Sequence, residues 1–366
     1  MILNFFMPTK VFLGKDCIIE NAAQLKTLGK KAFIVTGRGS AKANGSLACV
    51  QGALQTSGIA YSVFDRILSN PSIELVREAA KIAREAGADF IIGIGGGSPM
   101  DAAKAIAILA ANEVDDAVLF SGPYPHPVLP VVAVPTTAGT GSEVTQYSVL
   151  TDDKQQTKRS IANEVLFPQM AFLDASYTEK LPAHVTIHTA IDALSHVVEG
   201  YLSVKATTIS DMLAAESMTI LGKCLKALDG KVDFAVREQL LYASMLAGMV
   251  IAHTGTTALH SMGYSLTYFR DIDHGRANGL LMYEYLEFIA VEHGSRIDKM
   301  VSLMGMNSLE ELKKCLDNLL GDKESISKSE IKQFSAKAIQ AKNVLNTIRK
   351  PSEDHLAGIF ERSFCK

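Results

Sequence analysis

The 366 residues carry 36 Lys and Arg against 39 Asp and Glu, a formal net charge of −3, with 48% hydrophobic and 20% charged residues. That balance fits two globular domains with sizeable cores, and it excludes extended disorder and any general attraction to nucleic acid or to an anionic membrane. Met1-Ile2-Leu3-Asn4-Phe5 lacks the basic start and long apolar run of a signal peptide, and no apolar run reaches the ~18 residues of a spanning helix, so the expectation is a cytoplasmic protein without membrane or nucleic-acid partners.

In chain order, residues 32–36, 60–64, 89–94 and 131–134 read as strands, being short, rich in β-branched residues and bounded by Gly or Pro. Residues 72–86 and 99–111 carry apolar side chains at helical spacing, with Pro99 at an opening turn. Such alternation predicts a parallel, Rossmann-like α/β sheet over 1–180. After Leu181-Pro182 the pattern changes to long Ala-, Leu- and Met-rich helical segments, so 181–366 is expected to be an all-α domain. Lys323 to Lys332 reads as a solvated surface. Cys17, Cys49, Cys224, Cys315 and Cys365 are scattered, without a Cys-x-x-Cys pair, as expected of reduced thiols and not of a zinc-cysteine site.

Two segments can hold phosphate. Gly95-Gly96-Gly97-Ser98-Pro99-Met100-Asp101 runs from a buried strand into a helix, where side-chain-free positions let backbone N–H groups approach an anion at a helix N-terminus. It lacks the spaced Gly-x-Gly-x-x-Gly pattern of the common dinucleotide turn. Pro135 to Thr145 follows another predicted strand and offers five hydroxyls and two glycines. Two such loops leaving one sheet edge point to a dinucleotide.

The second half offers metal ligands. Asp192 and His196 are four apart and share a helix face. His260 lies in an apolar helical stretch and His274 opens His274-Gly275-Arg276-Ala277-Asn278. One Asp and three His suit iron(II), zinc or another first-row divalent metal, which would act as a Lewis acid on a carbonyl. His253 is expected in the core or behind a ligand, His126, His293 and His355 on the surface, and Glu199 on the surface sooner than behind His196.

With these motifs in order, the chain resembles the iron-containing (group III) alcohol dehydrogenase family over nearly its whole length. The resemblance implies a metal-dependent, NAD(P)-linked oxidoreductase acting on a small aldehyde or primary alcohol, with its active site in the cleft between a dinucleotide domain and a helical metal domain. It implies Asp192, His196, His260 and His274 as ligands of Fe(2+) or Zn(2+), a homodimer, and a cofactor site of Gly95, Gly96, Gly97, Ser98 and Asp101 with Asn70, Thr136, Thr137, Thr140, Ser142 and Lys158. Tyr264 stands where many relatives carry a further His, as in the branch with 4-hydroxybutyrate dehydrogenases and phosphonoacetaldehyde reductases. Arg276, two residues after a ligand, is therefore expected to bind an anionic group of the substrate. Gly37, Arg38 and Ser40, with Lys42 and no acidic neighbour, lean the cofactor toward NADP. The alternatives are a dehydroquinate-synthase-like lyase, whose ligands are a Glu and two His, and a non-catalytic nucleotide- or metal-binding protein.

Overall fold

The structure is a computed structural model that describes residues 4–230 and 232–364; Met1, Ile2, Leu3 and Cys365 of the preceding paragraphs lie outside the described residues. The chain divides into two compact units, one of Met7–Leu181 and one of Pro182–Lys366 that also takes Met1–Phe6. Phe5 and Phe6 therefore go with the helical half, whereas the α/β region was expected over 1–180. The cause is local: the Phe5 ring stacks on His253 at 4.3 Å, and the Phe6 N–H donates to His253 Nε2 at 3.1 Å.

In the first unit, six parallel strands form one sheet in the order β1-β8-β5-β4-β2-β3. They are β1 (Lys10–Leu13), β2 (Lys31–Gly37), β3 (Ala60–Ile67), β4 (Phe90–Gly95), β5 (Val131–Pro135) and β8 (Met170–Leu173), while β6 (Tyr147–Asp152) and β7 (Thr157–Ala162) pair as a separate antiparallel hairpin. Period-two alternation decides which residue faces which helix layer. Phe33, Val35 and Ile91 join the core with α2 (Ile73–Glu85) and α3 (Gly97–Ala111), whereas Ala32, Ile34, Phe90 and Ile92 pack with α1 (Ser46–Thr56). Both faces are covered, which is why the central strands read as continuous apolar runs.

The register sets the functional edge. Thr36 pairs with Ile94, and Gly95 with Pro135, so β2, β4 and β5 end together and the loops after them leave from one edge. Between β2 and β4 the winding of the sheet reverses, because β3 lies on one side of β2 and β4 on the other. Ligands of open α/β sheets bind at such a reversal, beyond the strand C-termini.

The second unit comprises α4 (Ala183–Tyr201), α5 (Thr208–Ala227), α6 (Phe234–Thr254), α7 (Ala258–Arg270), α8 (His274–Leu303), α9 (Leu309–Leu320), α10 (Lys328–Ala338) and α11 (Glu353–Phe364). Pro182 stands at the start of α4, where its missing N–H costs nothing. Among the described residues of this unit the only strand-like pairing is an isolated bridge between Ser203 and Thr347. Helix α6 is long and apolar enough to cross a bilayer by composition alone, although no such run was expected. Its apolar stretch is 61% buried within the protein, and Leu240, Leu241 and Val250 belong to the core.

Candidate active site

The loops at the sheet edge are organised around one buried lysine. Helix α3 starts directly at Gly97 with Gly96 before it, and no side chain caps its first turn, so its N–H groups are available to an anion. Gly95 has φ +148°, and a Cβ there would lie 2.6 Å from Pro99 Cγ; a Cβ on Gly97 would lie 2.8 Å from Thr140 Cγ2. The glycines thus let the helix N-terminus and the Thr-rich loop close on each other.

Lys104, one turn beyond Asp101 and fully buried, donates to the Ser142, Thr145 and Tyr147 carbonyls at 2.7, 2.9 and 2.7 Å and to Ser142 Oγ at 2.8 Å. Asp101 accepts from Ser142 Oγ at 2.6 Å and from the Val149 N–H at 3.0 Å. Asn70, left-handed at φ +57°, donates its N–H to Ser98 Oγ at 3.2 Å, and the Thr136 N–H donates to the Gly95 carbonyl at 2.9 Å. Burial pushes the Lys104 ammonium down to about 8, against the pull of Asp101 and Glu143. Glu143, in the same loop, is buried with Oε1 unpartnered, and burial pushes its carboxyl up to about 7. Neither Lys104 nor Glu143 was singled out from sequence: a Lys inside Asp-Ala-Ala-Lys reads as an ordinary helix residue until its burial is seen.

Thus Gly95, Gly96, Gly97, Ser98, Asp101, Asn70, Thr136, Thr140 and Ser142 are tied into one constellation, and Thr137 enters it through Gly96, whose Cβ would lie 3.1 Å from Thr137 Oγ1. Lys158 lies on β7, near enough to Asp101 to act on its carboxyl. Gly37 ends β2, and Arg38 and Ser40 are exposed just beyond it. Lys42 departs from expectation, because its ammonium pairs with Asp65 of β3 at 2.6 Å. That acidic residue is distant in sequence, and only the pairing of β2 with β3 brings it to the strand end.

The helical unit brings together a different kind of group. Asp192, His196 and Glu199 lie along one buried stripe of α4. His260 sits in the first turn of α7 with Tyr264 one turn on, and His274 opens α8 with Asn278 one turn on. A Cβ on Gly275 would run into the His188 carbonyl on α4, so glycine is what lets α8 approach there. The ligand atoms of Asp192, His260 and His274 all lie within 4.8 Å of one another, with Asp192 Oδ1 3.9 Å from His260 Nε2 and 3.8 Å from His274 Nε2. These separations are too long for hydrogen bonds and near the ~3.4 Å expected of two ligands on one tetrahedral ion. The His196 ring stacks on that of His260 at 4.8 Å, which places the fourth expected ligand beside His260, although the converging group itself is Asp192, His260 and His274. Asn278 Nδ2 lies 3.3 Å from His260 Nε2 and 3.4 Å from His274 Nε2, while Asn278 Oδ1 is buried without a partner. A buried carboxylate facing two imidazole nitrogens fits a divalent cation.

Tyr264 stacks on His274 at 5.4 Å. Arg276 does not serve as the free anion receptor expected of it. Its Nε donates to Glu324 at 2.7 Å, and its terminal nitrogens donate to Glu324 and to the Leu320 and Asp322 carbonyls at the end of α9. The guanidinium caps a helix C-terminus, where a cation is favoured. Glu199 is buried, not on the surface, and meets His260 instead of His196.

Residues 8–175 match the family described as iron-containing alcohol dehydrogenase, and residues 186–364 its C-terminal family. The chain is 33% identical over 358 residues to the NADPH-dependent butanol dehydrogenase of Clostridium saccharobutylicum, covering 95% of this chain and 90% of that one. It is 32% identical to the sulfoacetaldehyde reductase of Bilophila wadsworthia over the full length of both. Among solved structures, an iron-containing alcohol dehydrogenase from Thermotoga maritima superposes with a TM-score of 0.93 at 40% identity, covering 99% of each chain.

Proposed function

The chain belongs to the iron-containing alcohol dehydrogenase family and is an NAD(P)-dependent oxidoreductase of that kind, and from that premise we propose that it reduces a small aldehyde to the primary alcohol, with Asp192, His196, His260 and His274 holding the metal. The observation that carries the proposal is the convergence of Asp192, His260 and His274 on one point inside the helical unit. When bound, the metal supplies Lewis acidity toward the carbonyl oxygen and the nicotinamide supplies the hydride. The protein's own part is to hold the ligands on three helices and to keep the site largely dry, since Asp192 and His260 are almost fully buried. The Tyr264 ring, packed on His274, forms an aromatic wall beside the ligands. The Gly95 to Asp101 turn and the Thr136 to Ser142 loop offer N–H and hydroxyl donors to the pyrophosphate, with Asn70 and Lys158 completing that site.

For the metal we propose iron(II), with zinc able to occupy the same ligands. For the cofactor we propose NADPH, supported by the exposed Arg38 and Ser40 beyond β2 and by the likeness to an NADPH-dependent butanol dehydrogenase. Lys42 has no part in this, being paired with Asp65. The free Cys17, Cys49, Cys224 and Cys315 accord with a cytoplasmic setting, and the assembly we propose is a homodimer, to be checked by light scattering. A second reading, in which the aldehyde carries an anionic group, is favoured by the full-length likeness to a sulfoacetaldehyde reductase.

Steady-state rates of the iron-loaded and metal-stripped protein with NADPH and NADH test the proposal, using butanal, succinic semialdehyde, phosphonoacetaldehyde and sulfoacetaldehyde. Reduction that vanishes on stripping and returns with iron(II) is expected, with the higher kcat/KM for NADPH. Turnover indifferent to metal would overturn the proposal, and an equal or higher kcat/KM with NADH would overturn the cofactor preference. The ranking of butanal against the three anions decides between the two substrate readings.

A further inference from the structure

Glu199 is a carboxylate with no exposure, three residues beyond His196 on α4. Burying a charge so completely is costly unless every lone pair is engaged. Here Oε1 accepts from the Thr257 N–H at 2.7 Å, from Thr257 Oγ1 at 2.6 Å and from the His260 N–H at 3.2 Å, while Oε2 meets His260 Nδ1. Two of the Oε1 donors are backbone N–H groups, which cannot reverse. Thr257 Oγ1 gives its proton to Glu199 and therefore accepts from the Tyr285 phenol at 2.9 Å. Tyr285, itself fully buried, also hydrogen-bonds to Thr347, whose Oγ1 accepts from the Ala258 N–H at 3.1 Å. Three donors on Oε1, two of them backbone N–H groups, favour the ionised form of Glu199.

A carboxylate can only accept, so the His260 nitrogen facing it is the one that carries hydrogen. With the hydrogen on Nδ1, the Nε2 lone pair points at Asp192 and His274. Metal-bound histidines commonly donate their other N–H to such a carboxylate, and losing it typically costs 10–100-fold in metal affinity.

We infer that Glu199 is a positioning residue for the metal, touching neither ion nor substrate, which holds His260 in the Nδ1–H form and so sets the affinity of the site; the inference rests on the metal site proposed above. The test titrates the full-length metal-free protein with zinc(II) against a chelating indicator, in wild type, Glu199→Gln, Glu199→Asp and His274→Ala, with visible absorption of the cobalt(II)-loaded forms as a second readout. The Gln side chain keeps the shape but turns one acceptor into a donor, so zinc should bind 10–100-fold more weakly and the cobalt spectrum should change. Glu199→Asp should recover part of the affinity, and His274→Ala should lose most of it. Glu199→Gln within twofold of wild type, while His274→Ala loses zinc, would overturn the role of Glu199 and leave the metal site standing. Wild-type binding in His274→Ala would instead overturn the metal site. Should Glu199→Gln fail to fold, histidine ¹⁵N spectra of zinc-loaded wild type decide: hydrogen on His260 Nδ1 is expected, and an Nδ1 without it contradicts the inference.

Discussion

The sheet edge of the first unit and the helical cluster of the second are built from opposite materials. At the sheet edge the groups offered to a ligand are backbone N–H groups, hydroxyls and glycines, arranged around a Lys104 whose ammonium is already satisfied by carbonyls of its own loop. In the helical unit they are charged and imidazole side chains, and Asp192 faces histidine nitrogens at distances that no direct bond explains. Lys104 is satisfied within the fold, whereas Asp192, His260 and His274 converge without bonding one another directly. Substitutions should therefore separate the two, by which ligand is lost and by how much.

The largest effect is expected from His260→Ala, which should lower kcat/KM by at least ~10³-fold, the order of magnitude of losing several kcal/mol of carbonyl polarisation. Nucleotide affinity, measured by fluorescence of bound NADPH, should stay within about twofold of wild type. Gly97→Val is the converse: its side chain would enter the space of Thr140, raising the KM for nucleotide by about tenfold, roughly 1.4 kcal/mol, with metal content unchanged. A Gly97→Val protein that keeps its nucleotide KM but loses metal would break the comparison.

A smaller effect concerns pH. The Glu143 carboxyl is pushed from an ordinary 4.5 up to about 7 by burial, so between those values the native state holds a proton that the unfolded chain releases. Stability then falls as pH rises through that window and stays lowered above it. Glu143→Gln should remove the dependence and stabilise the protein by about 3 kcal/mol at pH 8, with no difference below pH 4.5. Thermal unfolding midpoints across pH 4 to 8 check this, and parallel curves for the two proteins would refute it. The smallest effect is expected from Arg276→Ala, a loss of about 1 kcal/mol from the pair with Glu324 and the α9 carbonyls. The ranking of anionic against neutral aldehydes should not move; a selective loss of the anionic ones would return Arg276 to the substrate.

What was legible in the sequence follows from how local each signal is. Strands β2 to β5 are short β-branched runs bounded by Gly or Pro, helices α2 and α3 carry a helical pattern, and all lie where expected. Strands β1 and β8 were missed because four residues such as Lys10-Val11-Phe12-Leu13 or Met170-Ala171-Phe172-Leu173 are too short to show a period. The β6–β7 hairpin was missed as well, since β7 is mostly polar and carries Lys158 and Arg159. Asp192, His260 and His274 were recognisable by type and order, yet Arg276 and Glu199 exchanged places between site and scaffold. One guanidinium found Glu324, 48 residues away, and one carboxylate found His260, 61 away. Nothing in local spacing records such partners. Lys42 and Asp65 teach the same lesson at the end of β2.

The most direct test of the central claim, that Asp192, His196, His260 and His274 bind one divalent ion, is a zinc(II) titration of the metal-free protein followed by thermal unfolding, in wild type and Asp192→Asn. A ligand that binds only the folded state at 100 times its Kd adds about 2.7 kcal/mol. The wild type is expected to take up one ion per chain and to unfold at a higher temperature as zinc is added, while Asp192→Asn shows little of either. Equal uptake and equal stabilisation in the two proteins would contradict the account.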